Sequence, residues 1–470
     1  MMKKSKLTAR VILLCALYSA LPIELDAMKL SFEQAMRITR ENNESLRAAR
    51  LEEKQNEQAR LAARGLFFPK VDLWASYTRL DNDITLDLNP IREAIVGIET
   101  IKNPAFGHQV DMMLPSFEQT VQKDTFGLAT VNVTWPVFTG GKILAANRAA
   151  AALHTESTEK LHDVEAGLIS ELSERYFGLR FSLQVVDVRR EIFEGMQEHL
   201  YQARKLEQNG MIARADRLHA QVASAEAYRQ LKKALRDVEL ARTALNNSLG
   251  TGELIEPTSP LFVVRELEPL SYFRMRALAN SPVLKQIEAR YETVHQQFKK
   301  ELAGWFPDVF LLGFRQIDDH DFTPYAPEWS VGLLANFTLF DGMARSHRIS
   351  AARYAQERVA AFEGKTRLDI EALVEKTYNE LLTALEQYDA LQTSYDYADE
   401  YVRVRQKAFQ EGYATSLDVV DAELYLSQVK IDRLKTLYEF DMNLARLLAV
   451  CGDSERFQAY FSRGKQEGQF

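Results

Sequence analysis

The 470-residue chain carries 58 Lys and Arg against 66 Asp and Glu, a formal net charge of −8, with 46% apolar and 26% charged residues. That balance is ordinary for a folded protein with a large core, and the acidic surplus excludes nucleic acid as the expected partner. Beyond residue 27 the only cysteine is Cys451, so no internal disulfide braces an exported chain and its stability rests on packing.

At the N-terminus Lys3, Lys4, Lys6 and Arg10 precede the apolar run VILLCALYSA (11–20), and Ala27 offers a small residue for cleavage. This predicts a secretory signal peptide over 1–27, too short in its apolar core to span a membrane. Cys15 follows Arg10 too closely for a lipoprotein signal. No later segment holds eighteen consecutive apolar residues, so no transmembrane helix is expected after the signal. Membrane-spanning β-strands stay open, because their alternation is a weaker signal.

The chain repeats itself. Phe138-Thr139-Gly140 recurs as Phe340-Asp341-Gly342, Tyr176 as Tyr378, Gly210 as Gly412, Asp216 as Asp418, Ala220 as Ala422 and Gly250 as Gly452, all at one interval. Upstream, Asn42, Leu46, Phe68-Pro69 and Val71 recur as Asn280, Leu284, Phe306-Pro307 and Val309 at a longer one, which leaves about 36 extra residues in the first copy. The extra segment, about 81–121, holds Pro90, Pro104 and Pro115 without clean periodicity and reads as a long loop. The expected layout is a first repeat over 28–250, a proline-bearing linker over 251–269, a second repeat over 270–452 and a C-terminal tail over 453–470.

Within each repeat the pattern predicts helix, strand, strand, very long helix, break and shorter helix. In the first these fall at about 30–66, 70–79, 126–138, 142–208 and 214–249. In the second they fall at about 270–304, 308–317, 329–340, 343–410 and 416–450. The segment 142–208 would be roughly 100 Å long as a helix. Leu172, Leu179, Val186, Phe193 and Leu200 recur every seventh residue, as do Val374, Leu381, Tyr388, Tyr395, Val402 and Phe409. A strict seven-residue stripe favours coiled-coil packing against a partner helix.

The strands carry a second pattern. In 126–138 Val131, Val133, Trp135 and Val137 alternate with Thr130, Asn132 and Thr134; in 329–340 Trp329, Val331, Leu333, Phe337 and Leu339 alternate with Ser330, Asn336 and Thr338. About ten such residues suffice for a tilted membrane-spanning strand. A soluble sheet packed on one face would alternate in the same way. If the strands do span lipid, four are too few to enclose a lumen and their open edges would be costly, so several copies must build one barrel.

The duplicated layout, the FFP and WFP leads into the strands, the exits WPVFTGGK and FTLFDGMA, and the breaks NGMIARAD and EGYATSLDVVDA resemble the TolC family of outer-membrane efflux proteins. The resemblance covers about 30–452, in order and in both copies. It implies a mainly α fold with a small β part: a homotrimer in which long coiled-coil helices form an α-helical barrel across the periplasm. Each chain adds four strands to a shared 12-stranded transmembrane β-barrel. It also implies a passive exit duct in outer-membrane lipid, working with a periplasmic adaptor and an inner-membrane transporter to export toxic compounds or proteins. The rival reading is a soluble periplasmic coiled-coil adaptor or scaffold, which explains the signal and the helices but not the paired strands.

On this resemblance the two helix breaks are periplasmic tips. Gly210 and Gly412 suit the turns because glycine enters left-handed dihedrals freely. Ser416 is placed to cap the returning helix, with Asp418 in its first turn favouring the positive end of the helix dipole. The functional alternative uses spacing: Asp418 and Asp421 share a helix face and would stack as two acidic rings at a periplasmic aperture, where the first copy has Asp216 and His219. Ala414 stands where some members carry a basic residue that bonds the gate shut. Trp135, Trp329 and Phe337 are candidates for an aromatic girdle at the membrane boundary.

Asp318-Asp319-His320-Asp321 has metal-ligand chemistry, but in a short connection between strands it reads as a solvated acidic loop. No phosphate loop, GxSxG elbow or HExxH is present. No metal, cofactor or catalytic residue is expected.

Overall fold

A computed structural model of the chain describes residues 28–467. The expected signal peptide, 1–27, lies outside the described residues. In chain order the elements are β1 (Met28–Leu30), α1 (Phe32–Asn42), α2 (Glu44–Arg64), β2 (Lys70–Arg79), β3 (Ile84–Asp87), α3 (Asn89–Lys102), α4 (Pro104–Met113), β4 (Glu118–Gln122), β5 (Thr125–Phe138), α5 (Lys142–Gln208) and α6 (Arg214–Leu249). There follow β6 (Ile255–Pro257), β7 (Leu261–Val263), α7 (Leu270–Asn280), α8 (Pro282–Leu302), β8 (Asp308–Asp318), β9 (Trp329–Asn336), α9 (Ala344–Gln410), α10 (Ser416–Val450), α11 (Phe457–Arg463) and β10 (Lys465–Glu467).

Several expectations are corrected. The helices expected over 30–66 and 270–304 are each two. Asn43 leaves the helix at φ −74°, ψ 116°, and its side chain then accepts from Leu46 N at 3.0 Å, starting α2 afresh. Ser281 precedes Pro282, which forces it out of helical dihedrals and opens α8 at the position proline tolerates. The second strand of the second copy stops at Asn336, not 340: Arg345 Nη2 donates to Thr338 O at 2.6 Å, taking that carbonyl away from any ladder.

The 81–121 segment is no open loop. It folds as β3 and β4, paired antiparallel, with α3 and α4 between them. Pro90 and Pro104 sit in the first turn of these helices, where their missing N–H costs nothing.

The described residues divide into two compact units, 28–53, 156–288 and 362–467 in one, 54–155 and 289–361 in the other. In the first unit Phe32, Tyr176, Phe177, Phe262 and Phe457 are fully buried and in mutual ring contact. Burying one such side chain contributes about 2–3 kcal/mol. Tyr176 Oη donates to Leu30 O at 2.7 Å and accepts from Ser259 N at 2.9 Å, bracing the parallel pair β1–β6. The expected linker supplies β6 and β7, and the expected tail supplies α11 and β10, which pairs with β7. Phe457 and Tyr460 of that tail are wholly buried, so it is part of the core. The seven-residue stripes face inward: Leu172, Leu179, Val186, Val374, Leu381, Tyr388, Val402 and Phe409 are all buried.

The second unit holds a four-stranded antiparallel sheet in the order β2-β5-β8-β9. Register aligns Leu73 with Val131, Val133 with Gly313, Leu311 with Leu333 and Gly313 with Val331. Between the register shifts at Ala129/Thr130 and Pro136/Phe138, odd-numbered positions of all four strands therefore lie on one face. Even β8, whose alternation is irregular in the sequence, joins that pattern.

Candidate functional site

Apart from Arg79, Thr125 and Arg315, the odd-numbered face of the sheet is apolar, and on the edge strands β2 and β9 it is uncovered. Val71, Leu73, Tyr77, Val331 and Leu333 are each more than 60% exposed, which water would penalise and lipid would not. The even face carries Asp72, Ser76, Thr130, Asn132, Thr134 and Ser330 beside Phe310, Leu312 and Phe314. At both ends of the sheet, on β2 and β9, backbone N–H and C=O groups lack a neighbouring strand, a state that hydrocarbon does not tolerate.

The three aromatics sit at two levels. Trp135 Nε1 donates to Phe67 O at 3.0 Å near the start of α5. Phe337 lies beside the start of α9, with the Arg345 guanidinium 5.8 Å from its ring. Trp329, 65% exposed, opens β9 at the other end of the strands.

At the helix tips, Gly210 (φ 73°) and Gly412 (φ 80°) make the left-handed turns. Met211 N donates to Leu206 O and Tyr413 N to Ala408 O, both at 2.8 Å, closing the last helical carbonyls in the same way. The cap of α10 is Thr415, not Ser416. Thr415 Oγ1 accepts from Asp418 N at 3.3 Å, and Asp418 Oδ2 accepts from Thr415 N at 2.8 Å and from its hydroxyl at 2.7 Å. These bonds from Thr415, helped by Arg405 at 3.7 Å, hold the Asp418 carboxyl below the usual carboxylate range. Ser416 is the first helical residue and is buried. Asp421 is exposed, and Asp216 is half-buried in the first turn of α6.

The two tips pack on one another inside the first unit. Ala203, Ala220, Phe409 and Val419 form a small buried cluster. His199 Nε2 lies 2.8 Å from Ser416 Oγ, and the His199 ring is 4.7 Å from that of Phe409. Burial, and then the neighbouring His219, pull the His199 pKa down to about 4, so the ring is neutral at neutral pH.

Beyond the turn, α10 is joined to α9 and to α5 by partly buried polar contacts that sequence reasoning missed. Gln406 Nε2 donates to Glu423 Oε1 at 2.5 Å, and burial raises the Glu423 pKa. Lys430, almost wholly buried, reaches Glu191 at 2.7 Å, and Arg189 donates to Ser427 Oγ at 3.2 Å. Partners this distant in the chain leave no local signal.

The acidic cluster at 318–321 is partly a bracket: Lys123 Nζ lies 2.5 Å from Asp321 Oδ1. Among the described residues no group of three or more His, Cys, Asp or Glu is arranged to hold a metal ion.

With this geometry established, the chain matches the outer membrane efflux protein family over residues 36–251 and 274–453, and it belongs to that family. It is 22% identical over 370 residues to the alkaline protease secretion protein AprF of Pseudomonas aeruginosa, covering 74% of this chain and 75% of that one. It is 26% identical over 272 residues to protein CyaE of Bordetella pertussis, covering 55% and 56%. The solved outer membrane protein VceC of Vibrio cholerae has the same fold, with a TM-score of 0.73 at 15% identity over 90% of this chain and 96% of that one. The fold is TolC-like, helical with a small β part, and the protein is an outer-membrane export channel extending into the periplasm. The soluble adaptor reading gives way to this one.

Proposed function

We propose that three copies of this chain close one 12-stranded barrel in the outer membrane, each adding its four strands, and continue as a helical duct that passes cargo outward without catalysis. In this reading repeats 28–250 and 270–452, joined through 251–269, build the wall. A periplasmic adaptor and an inner-membrane transporter deliver the cargo. The observation that carries the reading is the sheet, with one apolar face and two open edges. Trp135 and Phe337 serve as one aromatic rim and Trp329 as the other. The family description supports efflux and the AprF name supports protein secretion, and both are export through such a duct.

Membrane fractionation with mass measurement of the detergent-extracted protein tests this. A trimer in the outer-membrane fraction is expected; a monomer, or a soluble periplasmic protein, overturns it.

The aperture reading narrows to Asp421. Asp418 and Asp216 lie in first turns, and Asp418 is engaged with Thr415, whereas Asp421 is exposed one turn further on. In a symmetric oligomer Asp421 forms an acidic ring that favours cations. Asp421→Ser is expected to lower cation selectivity in a planar bilayer. Unchanged selectivity refutes the ring.

A further inference from the structure

One packing surface of the first unit is used within the chain, and its counterpart is not. α5 of the first repeat packs on α10 of the second. His199 Nε2 lies 2.8 Å from Ser416 Oγ, Arg189 donates to Ser427 Oγ at 3.2 Å, and Lys430 Nζ pairs with Glu191 at 2.7 Å. Ile192 meets Val420, and Ala203 meets Val419, in small buried clusters. Because the chain is duplicated, each of these surfaces recurs at the repeat interval: α9 corresponds to α5, and α6 to α10.

The recurring surfaces are open. Ile192, His199 and Ala203 of α5 are buried, whereas Ser394, Tyr401 and Arg405 at the same places in α9 are half-buried, and Tyr397 is 59% exposed. Ser416, Val420, Glu423, Ser427 and Lys430 of α10 are all buried, whereas Arg214, Leu218, Gln221, Ala225 and Tyr228 at the same places in α6 are all exposed. The chain thus carries both halves of a second such contact without forming it.

Both halves have the chemistry of an interface. Tyr397 and Tyr401 stack at 5.6 Å, Tyr425 meets Tyr397 at 6.1 Å, and the Arg405 guanidinium sits over the Tyr401 ring at 5.1 Å. Tyrosine and arginine are residues that protein interfaces favour. On α6, Arg214 makes no ion pair among the described residues.

On the export reading, on which this inference rests, chains stand side by side in a ring. We propose that α9 of each chain receives α6 of the next, with Tyr397 against Gln221 and Tyr401 against Arg214, in the places that Gly195 and His199 take against Glu423 and Ser416. The two surfaces differ, so the contact runs head to tail. It needs no two-fold axis and closes a ring as each chain gives one surface and receives the other. The places of the Glu191–Lys430 ion pair hold Thr393 and Tyr228. The seam between chains is therefore held by aromatic and guanidinium contacts where the seam within the chain has an ion pair.

Co-expression of Tyr401→Cys and Arg214→Cys chains, followed by a short bis-maleimide on outer membranes, tests the seam, since Cys451 is buried. A covalent dimer from the co-expressed pair, with none from either variant alone, is the expected result. Tyr397→Cys with Gln221→Cys serves as a second pair where the first does not assemble. A trimer of normal mass in detergent that gives no dimer from the mixed pair overturns the seam and leaves the export reading standing. So does a dimer from Tyr401→Cys alone, which makes the contact two-fold. A crosslink from Tyr401→Cys only to a different protein overturns it as well, and makes an adaptor the occupant of the tyrosine face. A monomeric mass for the unaltered chain overturns the seam and the export reading together.

Discussion

Gly210 and Gly412 turn the chain with the same backbone, at φ 73° and 80°, and with the same capping pattern of hydrogen bonds. The side chains around them differ. The second tip has Thr415, Glu423 and Phe409 where the first has Ala213, Gln221 and Glu207, while Asp418 and Asp216 correspond. Phe409 is buried between the tips, whereas Glu207 pairs with Arg217 across its own turn at 2.8 Å. The second copy thus supplies the apolar plug, and Ala203 and Ala220 of the first receive it. Duplication preserved the turn, which backbone geometry dictates, and released the side chains to become complementary.

Truncating Phe409 breaks that comparison most severely. Phe409→Ala empties a site shared by Ala203, Ala220 and Val419 and should cost the tip about 3–5 kcal/mol. Glu207→Ala removes only a partly exposed ion pair and should cost about 1 kcal/mol or less. Native-state hydrogen exchange of the tip amides measures both. Equal losses would mean that the plug does not sit between the tips.

Acid comes next. His199 stays neutral in the folded tip down to about pH 4, whereas an unfolded histidine takes its proton near 6.5. Between those values the unfolded chain binds more protons, so tip stability falls as pH falls, by a total on the order of 2–3 kcal/mol. Glu423 acts the other way. Its raised pKa means that the folded state takes up a proton before an unfolded glutamate does, so its share of stability grows on acidification. His199→Gln should flatten the loss of amide protection between pH 7 and pH 4. Glu423→Gln, which restores the residue type of the first copy, should steepen it. An unchanged slope in both variants would show that neither group is linked to tip opening.

What the sequence shows of this molecule follows local physics. The long helices over Lys142–Gln208 and Ala344–Gln410 are legible because proline is absent and apolar residues recur every seven. The split at Ser281 was legible too, in Pro282. The split at Asn43 was not, for no glycine or proline marks it. Within 81–121 the spacing of Ile91, Ile95 and Ile98 announces a helix, but proline reads equally as a breaker and as a first-turn residue, and Pro90 and Pro104 stand where helices begin. At the second tip two hydroxyls compete for the cap, and the reciprocal bond from Asp418, three residues after Thr415, decides between them. The pairs His199–Ser416 and Gln406–Glu423 come from helix packing and have no local trace.

The smallest effect sharpens the comparison most cleanly, because it moves one feature between copies. Thr415→Ala leaves α10 without its side-chain cap, as Ala213 already leaves α6. The loss should be about 1 kcal/mol and confined to first-turn amides of α10: Asp418 N and Asp418 Oδ2 both lose the Thr415 hydroxyl, while the bond from Thr415 N to Asp418 Oδ2 needs no side chain at 415. The converse, Ala213→Thr, places a hydroxyl three residues before Asp216 and recreates the reciprocal box. It should protect the first turn of α6 by a similar amount, provided the Asp216 side chain turns back as Asp418 does. Gain at one tip matching loss at the other would mean that the tips differ in capping chemistry alone. A loss at the second tip with no gain at the first would mean that Asp216 is held by contacts across the oligomer, and so stands nearer the aperture than its counterpart.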